Sequence, residues 1–217
     1  GQGEHHSIAT SYDGITWTGR GGKEDIFKSG GRGVAWNGSM WVAVGQGEHH
    51  SIATSYDGIT WTGVGGKEDL FTYGGYGVAW NGSMWVAVGS GTNHNIATSY
   101  DGITWTGRGK AIFTTRGRGV AWNGSMWVAV GEGTNSIAIS YDGITWQGRG
   151  NGDLTYGGYG VAWNGSMWVA VGYGAYHTIA ISYDGKTWEG RGKEVFEGEG
   201  YGVAWNGSMW VAVGYGA

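Results

Sequence analysis

The chain has 217 residues, a formal net charge of −4 and only 14% charged residues, so it lacks the basic footprint that neutralising nucleic-acid phosphates or an anionic membrane surface demands. Its 49 Gly, 15 Trp and 13 Tyr with no Pro exclude a disordered tail and a helical protein, because aromatics supply a core and glycine at this density punctuates tight turns. No cysteine is present, which removes disulfides and thiolate chemistry, leaves the redox compartment undetermined and rests stability on packing.

In chain order, the first elements are SIATSY (7–12) and ITWTG (15–19), two β-branched and aromatic runs separated by Asp13-Gly14. A long loop, RGGKEDIFKSGGR (20–32), leads to GVAW (33–36), and Asn37-Gly38 separates that run from MWVAVG (40–45). Asn-Gly and Asp-Gly between apolar runs are preferred sequences for two-residue type I′ hairpin turns, so each unit reads as two β-hairpins. A shorter loop, QGEHH (46–50), returns the chain to SIATSY at 51.

The order then repeats. GVAWNGSMWVAVG begins at Gly33, Gly77, Gly119, Gly160 and Gly202, and SYDG begins at Ser11, Ser55, Ser99, Ser140 and Ser182. Periods of 41 to 44 residues point to propellers or solenoids. Alternation along a strand puts Met40, Val42 and Val44 on one side and Trp41 and Ala43 on the other. Both faces are apolar, so each sheet needs cover on both, which a ring of radially packed blades supplies.

The chain opens with third and fourth strands (7–19) and closes with first and second strands (202–214). The expected fold is therefore all-β: one five-bladed β-propeller over 1–217 with four antiparallel strands per blade. A 2+2 closure would build the last blade from 1–19 plus 202–217. That closure hides the sheet edges at both ends. No apolar run approaches the roughly 20 residues of a membrane span and no charged-then-apolar leader opens the chain. A soluble, mature segment of unknown localisation is expected, and the start at Gly1 reads as processed, trimmed or engineered.

SYDGITW, with SYDGKTW in the last copy, resembles the Asp-box of the sialidase-like propellers, one residue shorter than their S-x-D-x-G-x-T-W. The resemblance implies a structural turn between third and fourth strands, braced by Asp13, Asp57, Asp101, Asp142 and Asp184 with their Ser, Thr and Trp companions. Blade number and internal symmetry are similar to tachylectin-type lectins.

Propeller topology puts both constant turns at one face and the variable loops at the other, where binding usually sits. Just before each first strand stands Arg32, Tyr76, Arg118, Tyr159 or Tyr201. The first strand lines the central channel, so these five are expected to ring its mouth, where guanidinium forks and flat phenol faces suit a sugar or an anion. The blander account is a solvated cap.

The histidines of Glu4-His5-His6, Glu48-His49-His50, His94 and His177 invite a metal reading. Adjacent histidines converge poorly on one ion and one copy has none, so polar loop is the expectation and no metal or cofactor is inferred. The Asn-Gly-Ser triplets at Asn37, Asn81, Asn123, Asn164 and Asn206 match a glycosylation pattern but have a turn role already. Ile26-Phe27, Leu70-Phe71, Ile112-Phe113 and Val195-Phe196 read as anchors of the long loops over the core.

Catalysis is hard to assemble. Arg32, Arg116 and Arg118 form at most a partial arginine cluster, and Glu197 and Glu199 share one loop instead of flanking a bond. The expected function is a non-enzymatic binding or interaction scaffold, with carbohydrate or a protein as ligand on the loop face and no nucleic-acid or membrane partner. The alternatives are a designed, reconstructed or recently amplified propeller with no evolved ligand, and a glycosidase. Residues 1–19 duplicate 45–63 without a difference, which shows copying. Near-identical half-blades could also exchange between molecules, but a monomer is expected because closure within one chain has the higher effective concentration.

Overall fold

A computed structural model describes residues 5–22, 26–65 and 68–216; Glu4 and part of the loop 20–32 lie outside them. The described residues are strands, turns and bends with no helix. Twenty strands form four complete four-stranded antiparallel sheets and two two-stranded ones, the strand inventory of the expected five-bladed β-propeller with its fifth blade divided between the chain ends. They gather into two compact units, Gly1–Gly109 and Lys110–Ala217.

The first unit holds the half-blade β1 (His6–Thr10) and β2 (Thr18–Gly22). Two full blades follow: β3 (Gly30–Trp36), β4 (Trp41–Gln46), β5 (Ile52–Ser55), β6 (Thr62–Val64), and β7 (Gly74–Trp80), β8 (Trp85–Ser90), β9 (Ile96–Ser99), β10 (Thr106–Gly107). The second unit holds β11 (Arg116–Trp122), β12 (Trp127–Glu132), β13 (Ile137–Ser140), β14 (Gln147–Gly148), and β15 (Gly157–Trp163), β16 (Trp168–Tyr173), β17 (Ile179–Ser182), β18 (Glu189–Gly190). It ends in the half-blade β19 (Gly200–Trp205) and β20 (Trp210–Gly214).

The alternation expected from sequence is realised. Met40, Val42 and Val44 of β4 are buried against Trp85, Ala87 and Ala97 of the next blade, and in the second unit Met126, Val128 and Val130 meet Trp168, Ala170 and Ala180. The opposite face of the β3–β6 sheet packs Ala43 and Ala53 against Ile8, Trp61, Ile26 and Phe27. Each such Val contributes about 1.5–3 kcal/mol by leaving water, so apolarity on both faces is what drives blade on blade. Phe27, Phe71 and Phe113 are fully buried, as loop anchors should be, although Val195 beside Phe196 is exposed.

The turns differ from the type I′ expectation. Trp36 pairs with Trp41 and Asn37 N–H donates to the Met40 carbonyl at 3.2 Å, so the two central residues are Gly38 and Ser39. Gly38 has φ 101° while no non-glycine residue among the described residues has a positive φ, whereas type I′ needs positive φ at both central residues. Asn37 flanks the turn instead, its Oδ1 accepting from Ser39 N at 2.9 Å and Met40 N at 2.7 Å. The Asp-Gly connections are longer than two residues: Thr54 pairs with Thr62, leaving residues 55–61 to form the turn. There Asp57 Oδ1 accepts from Ile59 N at 2.8 Å, Thr60 N at 2.7 Å and Ser55 Oγ at 3.0 Å, while Trp61 Nε1 donates to Gly58 O at 2.9 Å.

Candidate functional site

The five candidate residues share one local device. In every first-to-second strand pairing the register slips once, between Gly31 and Gly33, Gly75 and Gly77, Gly117 and Gly119, Gly158 and Gly160, and Gly200 and Gly202. The residue skipped is Arg32, Tyr76, Arg118, Tyr159 or Tyr201. Each is therefore the extra residue of a β-bulge inside the first strand, not a loop residue just before it, and a bulge re-aims its side chain out of the pairing pattern. The glycine that follows has its own reason: a Cβ on Gly33 would stand 2.9 Å from the Tyr76 carbonyl, and one on Gly119 would stand 3.1 Å from the Tyr159 carbonyl. Neighbouring first strands approach too closely there for a side chain.

In the first unit Arg32 Cζ lies 4.6 Å from the Tyr76 ring centroid, and Arg32 Nη2 donates to Gln46 Oε1 at 3.3 Å. The second unit gathers more. Arg118 Cζ lies 4.4 Å from the Tyr159 centroid, and the Tyr159 and Tyr201 rings are parallel within 4°, with centroids 6.2 Å apart. Arg118 Nε donates to Glu132 Oε1 at 2.6 Å. Arg116 Nε reaches the other oxygen of Glu132 at 3.2 Å, an ion-pair distance without hydrogen-bond geometry. Tyr159 Oη donates to Glu199 Oε1 at 3.4 Å.

The chemistry of this cluster is balanced. Two guanidinium groups face two carboxylates, and both arginines are drawn to Glu132, so their anion-binding capacity is engaged from within the chain. Burial, then the charges of Glu132 and Glu199, push the Tyr159 phenol up to about 12, and a hydrogen bond to Glu199 raises Tyr201. Both phenols thus remain neutral donors at physiological pH. Two parallel ring faces, phenol donors and carboxylate acceptors at their rim match what a neutral polyol needs.

Glu132 is the residue that sequence reasoning missed. It follows VAVG, as do Gln46, Ser90, Tyr173 and Tyr215, and these positions vary between copies as the bulge residues do. Arg116 with Glu132, and Gly30 with Gln46, are cross-strand partners, so this second variable position lies beside the first.

The turn aspartates and the side chains of the short loops bond to nearby backbone N–H groups. Asp13, Asp57, Asp101, Asp142 and Asp184 each accept from two backbone N–H groups and a Ser hydroxyl. Those bonds, with the backbone N–H of Thr60, Thr104 and Thr145 first among them, hold Asp57, Asp101 and Asp142 at about 2. His94 Nδ1 accepts from Gly109 N, and His177 Nδ1 from Gly192 N, both at 2.8 Å, while Asn135 Oδ1 accepts from Gly150 N at 2.9 Å. These side chains tie a loop to the end of the fourth strand. Among the described residues no group of three or more His, Asp or Glu is placed to hold a metal.

No protein-family model and no curated protein matches the chain. Solved structures do resemble it. A chain of the nidogen/laminin complex matches over 85% of this chain and 72% of its own length, with TM-score 0.64 and 15% identity. The computationally designed Ika4 protein matches over 75% of this chain and 99% of its own, with TM-score 0.54 and 11% identity. The GH74 enzyme of Niastella koreensis matches over 81% of this chain but 27% of its own length, with TM-score 0.52 and 16% identity. At these identities the likeness is one of fold, and the fold that it supports is the β-propeller.

Proposed function

We propose that this protein is a non-enzymatic binding scaffold whose bulge residues contact a carbohydrate, with Tyr159 and Tyr201 as stacking faces and Glu132 and Glu199 as rim acceptors. The observation that carries this reading is the parallel Tyr159–Tyr201 pair beside Arg116 and Arg118, both of which are engaged by Glu132. Because Glu132 engages both guanidinium groups, the reading favours a neutral glycan over an acidic one. Arg32 over Tyr76 is a smaller site of the same kind.

Hydrolysis is disfavoured by the same geometry. Glu132 is ion-paired and Glu199 accepts from Tyr159, so neither stands as one of two carboxylates flanking a scissile bond. The complete identity of 1–19 with 45–63 favours a second reading, a recently copied or engineered propeller with no evolved ligand. A glycan array separates the two. Binding that falls about tenfold or more in Tyr159→Ala/Tyr201→Ala supports the scaffold. No bound glycan at high protein concentration supports the ligand-free reading.

A further inference from the structure

A backbone bond ties the residue before a first strand to the residue that follows VAVG: Ser29 N–H donates to Gln46 O, Tyr73 N–H to Ser90 O, and Tyr156 N–H to Tyr173 O at 2.9 Å. Of the five copies, only the one with Tyr156 and Tyr173 carries an aromatic ring at both positions. The two rings lie with centroids 4.7 Å apart and planes tilted by 38°. They stay 55% and 37% exposed, so their outer faces meet solvent instead of the core.

The two loops that carry this pair are tied together. Tyr156 closes the loop 149–156 and Tyr173 opens the loop 173–177. His177 Nδ1 accepts from Gly192 N at 2.8 Å, so the neutral ring carries its proton on Nε2, which lies 3.7 Å from Asp153 Oδ1. A Cβ on Gly174 would collide with the carbonyls of both Asp153 and His177, so the loops also meet backbone to backbone. An aromatic surface fixed in this way costs little ordering when a ligand arrives.

Gly157 joins the pair to the cluster of bulge residues. It is the cross-strand partner of Tyr173, and residues opposite one another share a face of the sheet, with Cβ atoms about 5 Å apart. On that face a Cβ on Gly157 would stand 2.6 Å from Glu132 Cγ and 3.2 Å from Tyr159 Cε1. The Tyr156–Tyr173 pair therefore begins where the Glu132–Tyr159 cluster ends. From Tyr156 to Tyr159 the strand advances about 10 Å, a span that linked hexoses cover and a single hexose does not. Along it, Glu132 faces Arg116 and Arg118 while Asp153 faces His177, an arrangement that suits hydroxyl groups better than a charged ligand.

We propose that Tyr156 and Tyr173 form an outer subsite, so that the ligand of the second unit is a neutral oligosaccharide and not a single sugar. One hexose lies at Tyr159 and Tyr201, and the chain continues past the Glu132 carboxylate to the Tyr156–Tyr173 faces. This rests on the carbohydrate reading of the bulge cluster and adds to it the length of the ligand.

The test is titration calorimetry of the full chain with glucose, galactose, mannose and N-acetylglucosamine, and with the linear oligomers of each from the disaccharide upward. For the sugar that binds, affinity should rise about tenfold from the monosaccharide to its longer oligomers. Tyr156→Ala/Tyr173→Ala should lose that gain while binding the monosaccharide as wild type does, which also shows that the variant is folded. Tyr156→Phe/Tyr173→Phe, which keeps the ring faces, should retain most of the gain. The subsite is overturned if oligomers bind no tighter than their monosaccharide, as they would if these rings took a protein partner instead, or if the double alanine variant keeps the gain. Absence of binding by every sugar overturns the carbohydrate reading and the subsite with it, whereas binding without length dependence overturns the subsite alone.

Discussion

The guanidinium of Arg118 lies over the ring of Tyr159, Cζ 4.4 Å from the centroid, while Glu132 holds its Nε at 2.6 Å. Arg118 therefore joins two blades of the second unit through one planar group, a role that a point charge on a flexible stem does not fill. Replacement by Ala should cost about 1 kcal/mol, combining a partly exposed cation–π contact with a screened ion pair. Arg118→Lys should recover less than half of the loss, read by urea denaturation.

The phenol of Tyr159 is held up to about 12 chiefly by burial, with Glu132 and Glu199 adding to it. A folded-state value above the ordinary 10.0 means that the unfolded chain releases this proton first, so stability is undiminished below pH 10 and falls as pH rises from 10 toward 12. Ultraviolet titration of the native protein should show a late-ionising tyrosine that Tyr159→Phe removes. The phenylalanine variant should also lose stability less steeply in that window.

The turn aspartates carry the opposite sign. Asp57, Asp101 and Asp142 sit at about 2, below their ordinary 3.8, because backbone N–H groups bond to the carboxylate. Their contribution is present above pH 4 and is lost as pH falls from 3.8 toward 2. Thermal melting should decline through that window, and Asp101→Asn should flatten the decline while lowering the melting temperature at pH 7.

In two of the short loops, His94 and His177 act as hydrogen-bond acceptors. His94 Nδ1 and Asn135 Oδ1 take the same backbone bond, from Gly109 and Gly150. His94→Asn should therefore melt within a degree or two of wild type, whereas His94→Ala, which leaves the Gly109 N–H without that acceptor, should cost about 1 kcal/mol. Chemical denaturation of the pair of variants checks this.

Much of this architecture was legible because apolarity on both faces and the repeat are one-dimensional signals: Met40, Val42 and Val44 were assigned to one face from alternation alone. Turn detail was not, since Asn37 stands outside the two central residues and bonds through its carboxamide, a choice that side-chain geometry makes. The bulge at Arg32 was hidden for a related reason. A bulge is a mismatch between two strands, and only the glycines on either side of Arg32 hint at it. Glu132 was missed because its importance lies in meeting Arg116 and Arg118 across a ladder, although variation after VAVG was a usable clue.

The central claim, that the bulge residues of the second unit form a sugar-binding surface, is tested most directly by a crystal structure of the protein soaked with the neutral glycan that gives the strongest array signal. The account predicts sugar density against the faces of Tyr159 and Tyr201 with hydroxyls at the Glu132 and Glu199 carboxylates. Density confined to the SYDG turns, or a strong array ligand that leaves Tyr159 and Tyr201 untouched, would contradict it.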